Sequence, residues 1–175
     1  RLHAVGCLSD APSRLVLLPE EFTLPSLDLL LDGQFLPEFL EDQYADLVEE
    51  IVELSAPLFE GVPLQRIHGD AHLGNLLWGA EGAFWVDFDD MMRGPCVQDL
   101  WLIIAGRDAY ARAKLNIILE GYEQFRPFDR AALRLIEPLR AALSAQVYVD
   151  ARVRAEGLDL RAALDEAIEH TRQRP

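Results

Sequence analysis

The chain has 175 residues, half of them apolar, with 30 acidic against 16 basic side chains and a formal net charge of −14. That length suits one core rather than two independent domains, and the negative charge repels nucleic-acid phosphates and anionic lipid surfaces. No run approaches the roughly 18 consecutive apolar residues of a membrane span, and Cys7 and Cys96 lie far apart with no CxxC spacing. The expectation is therefore a soluble, cytoplasmic, monomeric protein with two free thiols and neither a nucleic-acid nor a membrane partner.

Arg1 to Leu8 reads as the end of a helix, and because the chain has no initiator Met it is expected to be a piece of a longer polypeptide. Ala11 to Leu31 carries three prolines and is expected to be mostly loop, with a short strand at Leu15 to Leu18. From Pro37 to Leu58 the apolar residues Phe39, Leu40, Tyr44, Leu47, Val48, Ile51, Leu54 and Leu58 recur at helical spacing, acidic residues fill the other face, and Gly61 and Pro63 end the helix.

Two short apolar runs then follow, Leu76-Leu77-Trp78 and Ala83-Phe84-Trp85-Val86, separated by Gly79-Ala80-Glu81-Gly82. They read as a β-hairpin and as the one convincing β region. Beyond Gly94-Pro95, helices are expected over Val97 to Ala105, Tyr110 to Phe125, Arg130 to about Gly157 and Leu160 to about Arg172. Pro138 should break or kink the third of these near Glu137. Asp99, Asp129 and Asp159 stand at or near helix starts, where carboxylates suit exposed amides. The fold class is α+β, mainly α: one domain with helix and loops over 1–63, a loop and hairpin over 64–95, and a helical bundle over 96–175.

The polar residues of interest sit on the middle stretch. Asp70 and Asn75 are five residues apart across a Gly-containing loop, and hairpin pairing returns Asp87 toward that loop. Such a set offers one carboxylate for an incoming hydroxyl and two oxygen donors for a hard cation. Mg²⁺ suits it, with nucleotide phosphates and water completing the octahedron. Phosphoryl transfer needs mainly positioning and charge neutralisation, so few protein groups suffice.

The motif His68-Gly69-Asp70-x-His72-x-x-Asn75, followed by Val86-Asp87-Phe88, resembles the signature of the aminoglycoside phosphotransferase and choline kinase superfamily, relatives of protein kinases. Arg66 to Asp70, Gly74 to Trp78, Val86 to Asp90, Gly94 to Trp101 and Ile136 to Arg140 resemble its stress response kinase A branch. The resemblance implies the C-terminal lobe of a kinase-like fold using ATP and Mg²⁺, with a protein Ser/Thr hydroxyl as acceptor. By the same resemblance Asp70 would accept the hydroxyl proton, Asn75 and Asp87 would ligate the metal, and Leu77 would floor the adenine pocket. His68 and His72 would brace the loop, and Asp99 would tie its helix to it. The smaller lobe of that family supplies a phosphate-covering loop and a strand lysine, neither of which has a counterpart here. Lys114, the sole lysine, falls in a predicted helix. The N-terminal lobe of the same polypeptide is thus an expected partner.

Other readings compete. A dinuclear metallophosphoesterase would need more histidines than the four present. A non-catalytic kinase-like binding module has no need to retain Asp70, Asn75 and Asp87 together. A kinase for a small alcohol of aminoglycoside, choline or homoserine type would use the same Asp. Asp89 and Asp90 suit either a turn cap or a second ion. Trp85 and Trp101 read as core, Glu137 and Arg140 as a surface pair, and His3 and His170 as residues without a function.

Overall fold

The computed structural model describes residues 1–144 apart from Ser9 and Ala105. The expected helix Leu160 to Arg172, with Asp159 and His170, lies outside them. Helices dominate: α1 (Leu2–Gly6), α2 (Pro19–Asp32), α3 (Glu38–Phe59), α4 (Val97–Trp101) and α5 (Ala109–Glu123). Strands β1 (Gln65–Ile67), β2 (Leu76–Gly79), β3 (Gly82–Trp85) and β4 (Met92–Gly94) form two separate antiparallel pairs, β1 with β4 and β2 with β3. Among the described residues no helix is long and apolar enough to cross a membrane, and both cysteines are free thiols.

The stretch expected to be loop contains α2. Pro19 occupies its first turn, where a missing N–H costs nothing, and Pro25 is accommodated further along. Pro19, Thr23, Leu27 and Leu30 form its buried stripe, in steps of three and four. Reading the prolines as breakers hid this periodicity. The expected strand at Leu15 to Leu18 is reduced to a single parallel bridge from Val16 to Arg93. There Leu17 N–H donates to the Arg93 carbonyl at 2.7 Å, and Arg93 N–H donates to that of Leu15 at 2.9 Å.

Helix α3 matches its expected span, but only part of the apolar band is covered. Val48, Val52, Ser55 and Phe59 are buried, whereas Phe39, Leu47 and Leu54 face solvent. The band is wider than the face α2 packs against. The expected β2–β3 hairpin forms, with Leu77 opposite Phe84 and Gly79 opposite Gly82. The β1–β4 ladder was not expected, because strands of three residues are too short to show an alternating pattern.

Helix α4 stops at Trp101 rather than Ala105, in a tight turn where Ile104 N–H reaches the Trp101 carbonyl at 2.9 Å. Asp108 caps α5, accepting from Ala111 N–H at 2.8 Å. Residues Arg130–Leu135 are 3-10 rather than α-helical, capped by Asp129, and the chain becomes α-helical again over 136–144 (α6), with Pro138 in its first turn. Leu17, Ile67, Met92, Val97, Leu100, Leu119, Leu135 and Leu139 belong to the main core. This core joins β1, β4 and the helices that follow, and the loop after β1 rests on it.

Candidate active site

The loop between β1 and β2 is held from below by one carboxylate. Asp99, in the first turn of α4 and 3% exposed, accepts from His68 N–H at 2.8 Å through Oδ2 and from Gly69 N–H at 2.9 Å through Oδ1. Gln98, fully buried, donates from Nε2 to the Gly69 carbonyl at 3.2 Å. Gly69 has φ +88°, and a Cβ there would collide with the Asp90 carbonyl oxygen. Only glycine takes that conformation at such close approach. The backbone leading into Asp70 is therefore pinned on both sides.

Asp70 and Asn75 are brought together directly. The short 3-10 turn Leu73–Asn75 turns the Asn75 side chain back, so that Nδ2 donates to the Asp70 carbonyl at 3.0 Å and to Asp70 Oδ2 at 3.2 Å. His72 Nε2 approaches the same Oδ2 at 3.3 Å. Because His72 Nδ1 accepts from Gly74 N–H at 2.9 Å, the neutral ring carries its proton on Nε2, within ion-pair distance of the carboxylate without hydrogen-bonding it. Oδ2 is thereby occupied, while Asp70 Oδ1 has no hydrogen-bond partner among the described residues. Asn75 is nearly buried, and its amide nitrogen donates to Asp70, Oδ1 having no hydrogen-bond partner among the described residues.

Asp87 enters through its neighbour. Val86 N–H donates to the Asn75 carbonyl at 3.0 Å, and His68 Nε2 donates to the Val86 carbonyl at 2.9 Å. The fully buried His68 ring also packs on Phe88 and Trp85, with centroids 4.6 and 5.5 Å away. Asp87 itself adopts φ +62° and is exposed, its carboxylate making no hydrogen bond or ion pair among the described residues. A non-glycine residue in the left-handed region is uncommon, and Asp is among those that tolerate it. Leu77 stands apart on the hairpin, half exposed beside Phe84. No group of three or more His, Cys, Asp or Glu among the described residues could hold a metal.

One participant escaped the sequence reading. His3 is buried, not solvated: Nε2 donates to Asp99 Oδ2 at 2.8 Å, and Nδ1 meets the Tyr122 hydroxyl at 3.0 Å. The spacing of Leu2–Gly6 gave no hint of a partner 96 residues away. Tyr122 in turn hydrogen-bonds Cys96. Burial is the main influence on both, raising the thiol above its ordinary range against an opposing hydrogen bond from Tyr122, and raising the phenol further from ionisation.

Beside Asp70 opens a cleft of about 900 Å³, walled by Phe22 and Pro25 of α2, Met92 of β4, Trp101 of α4, and Arg107 and Arg140. A family model for phosphotransferase enzymes matches residues 2–136. The chain belongs to the phosphotransferase enzyme family. Stress response kinase A of Escherichia coli (strain K12) is 37% identical to this phosphotransferase-family chain over 142 residues, covering 81% of the chain and 43% of the relative. The serine/threonine protein kinase RdoA of Salmonella typhimurium (strain LT2) is 50% identical over 76 residues, covering 43% of the chain and 23% of that protein. The chain thus spans less than half the length of the curated relatives it matches. The solved structure of amicoumacin kinase hAmiN, in complex with AMP-PNP, Ca²⁺ and Ami, superposes with a TM-score of 0.65 at 17% identity, over 91% of this chain and 49% of that one. The expected fold class is borne out: a mostly helical, kinase-like lobe with small antiparallel sheets.

Proposed function

We propose that this family member is the acceptor-side and metal-side half of an ATP- and Mg²⁺-dependent phosphotransferase that moves the γ-phosphoryl group onto Ser or Thr hydroxyls of proteins. The observation that carries this reading is the division of the Asp70 carboxylate. Asn75 and His72 engage Oδ2, and Oδ1 is left for a hydroxyl.

In the step proposed, the acceptor oxygen bonds to the γ-phosphorus as the bond from that phosphorus to the β,γ-bridging oxygen breaks. ADP leaves, and the hydroxyl proton passes to Asp70 Oδ1. Asn75 and His72 hold the carboxylate in place, and Asp99 fixes the backbone that carries it, so little reorganisation is required at the moment of transfer. Asn75 Oδ1 and the Asp87 carboxylate would hold Mg²⁺, which when bound would neutralise phosphate charge. Leu77 and Phe84, exposed side by side on the hairpin, offer an apolar floor to adenine. The described residues carry no lysine near the site, Lys114 lying on α5. A phosphate-gripping lysine and covering loop would therefore come from a smaller lobe beyond these residues. Preference for protein Ser/Thr is supported by the kinship with RdoA.

The test is transfer from γ-labelled ATP by the full-length natural polypeptide and by its Asp70→Asn variant, with Ser/Thr proteins and small alcohols offered as acceptors. The variant should lose on the order of 10²- to 10⁴-fold in rate. Equal rates would remove Asp70 from the role of base, and label on small alcohols alone would replace the protein acceptor.

A further inference from the structure

The cleft beside Asp70 is polarised. Its charged lining residues are Glu21, Asp70, Asp90, Arg107 and Arg140. Glu21 comes from α2 and Asp90 from the turn before β4, whereas the two guanidiniums belong to one assembly. Arg140 stacks over Trp101, 5.0 Å from the ring centroid, and donates to the Gly106 carbonyl at 3.1 Å. Glu137 gives one oxygen to each arginine, Oε1 to Arg140 and Oε2 to Arg107, both at 2.7 Å. A single carboxylate serves both guanidiniums, so among the described residues this assembly of three side chains carries one net positive charge, in a chain whose net charge is −14. It also shows that these two forks accept carboxylate geometry.

This assembly is wired to the catalytic loop. Trp101 Nε1 donates to Gln98 Oε1 at 3.0 Å, and Gln98 Nε2 donates to the carbonyl of Gly69, the residue before Asp70. A second recess of about 680 Å³, lined by Leu73, Leu102, Ile103 and Ile104 among others, shares Trp101, Leu102, Arg107 and Arg140 with the first. The arginine pair therefore borders both the cleft beside Asp70 and this apolar recess. Such an extended trough suits a run of chain better than a compact small alcohol.

We propose that Arg107 and Arg140 bind a carboxylate of the acceptor, so that the preferred substrate is a Ser or Thr in a protein segment bearing an acidic side chain at a fixed spacing from it. This rests on the phosphotransferase reading above and specifies its acceptor. The hydroxyl lies at Asp70, the acid at the guanidiniums, and the apolar recess takes a flanking aliphatic residue.

The test uses the full-length natural polypeptide, labelled ATP and short peptides with one Ser in a Gln/Gly background, a single Glu being moved through the flanking positions. One or two positions should lower KM about fivefold, the worth of a rim ion pair. Arg107, 70% exposed, can be replaced with little effect on folding. Arg107→Lys should keep the preference, and Arg107→Glu should abolish it or turn it toward Lys-containing peptides. Equal KM for every peptide in the wild type, or an unchanged Glu preference in Arg107→Glu, overturns the proposal while leaving phosphotransfer intact. A free hydroxy acid used with as low a KM as the best peptide overturns the protein segment as its source. Absence of transfer to any acceptor, water included, overturns the phosphotransferase reading and this proposal with it.

Discussion

His3 and Asp99 are 96 residues apart in the chain, yet Nε2 of one lies 2.8 Å from Oδ2 of the other, both side chains being almost wholly buried. The same carboxylate holds the backbone N–H groups of His68 and Gly69. Removing it strands two buried donors and a buried imidazole, whereas removing His3 strands only one carboxylate lone pair and leaves the Tyr122 hydroxyl its bond to Cys96.

Asp99→Ala should accordingly cost about 3–5 kcal/mol, and His3→Ala about 1–3 kcal/mol. Urea denaturation of both variants measures the difference. Equal losses would mean that the pair itself, not the anchored loop, carries the stabilisation.

Gly69 and Gly61 separate two costs of a side chain. Both have positive φ, but a Cβ at Gly69 runs into the Asp90 carbonyl whereas one at Gly61 meets open space. Gly61→Ala should lose only about 1 kcal/mol, from backbone strain, and Gly69→Ala at least about 2–3 kcal/mol, with displacement of Asp70. Comparable denaturation midpoints would show that the loop can shift freely.

Asp87 and Asn75 should differ in kind when replaced. Asp87→Asn should raise the Mg²⁺ concentration for half-maximal transfer on the order of 10- to 100-fold, because it removes a charged oxygen donor that makes no hydrogen bond or ion pair among the described residues. Asn75→Ala should also lower kcat at saturating Mg²⁺, since Asp70 Oδ2 then loses its amide donor. A normal Mg²⁺ titration for Asp87→Asn would remove it from the metal site.

The alkaline limb of stability should reflect Cys96 and Tyr122. Burial raises both above their ordinary values, so the folded protein keeps protons that the unfolded chain releases. Stability is then unaffected below the ordinary thiol value of 9.0 and falls as pH rises beyond it. Denaturation at pH 7 and pH 10.5 should show the loss, and Cys96→Ala should make it shallower. Exposed Cys7 should react with thiol reagents well before Cys96, whose thiolate is disfavoured.

The candidate site was legible in sequence where its geometry is local. Asp70 and Asn75 are joined by one short turn, and a two-residue hairpin turn sets the β2–β3 register that carries Val86 back to Asn75. Turn chemistry and strand alternation act over a few residues, so their signals survive in the linear order. Helix α2 was obscured because proline is a breaker in most helix positions but not in the first turn.

Its amino-acid order alone determined this protein's mainly helical class, the hairpin, and the grouping of Asp70, Asn75 and Asp87 on one platform. Only the tertiary structure decided that His3 meets Asp99, that β4 pairs with β1 across 24 intervening residues, and that Arg140 and Trp101 form one wall of the cleft beside Asp70. Contacts of this second kind are selected by the burial they permit when several elements pack at once, and no stretch of chain carries that sum by itself.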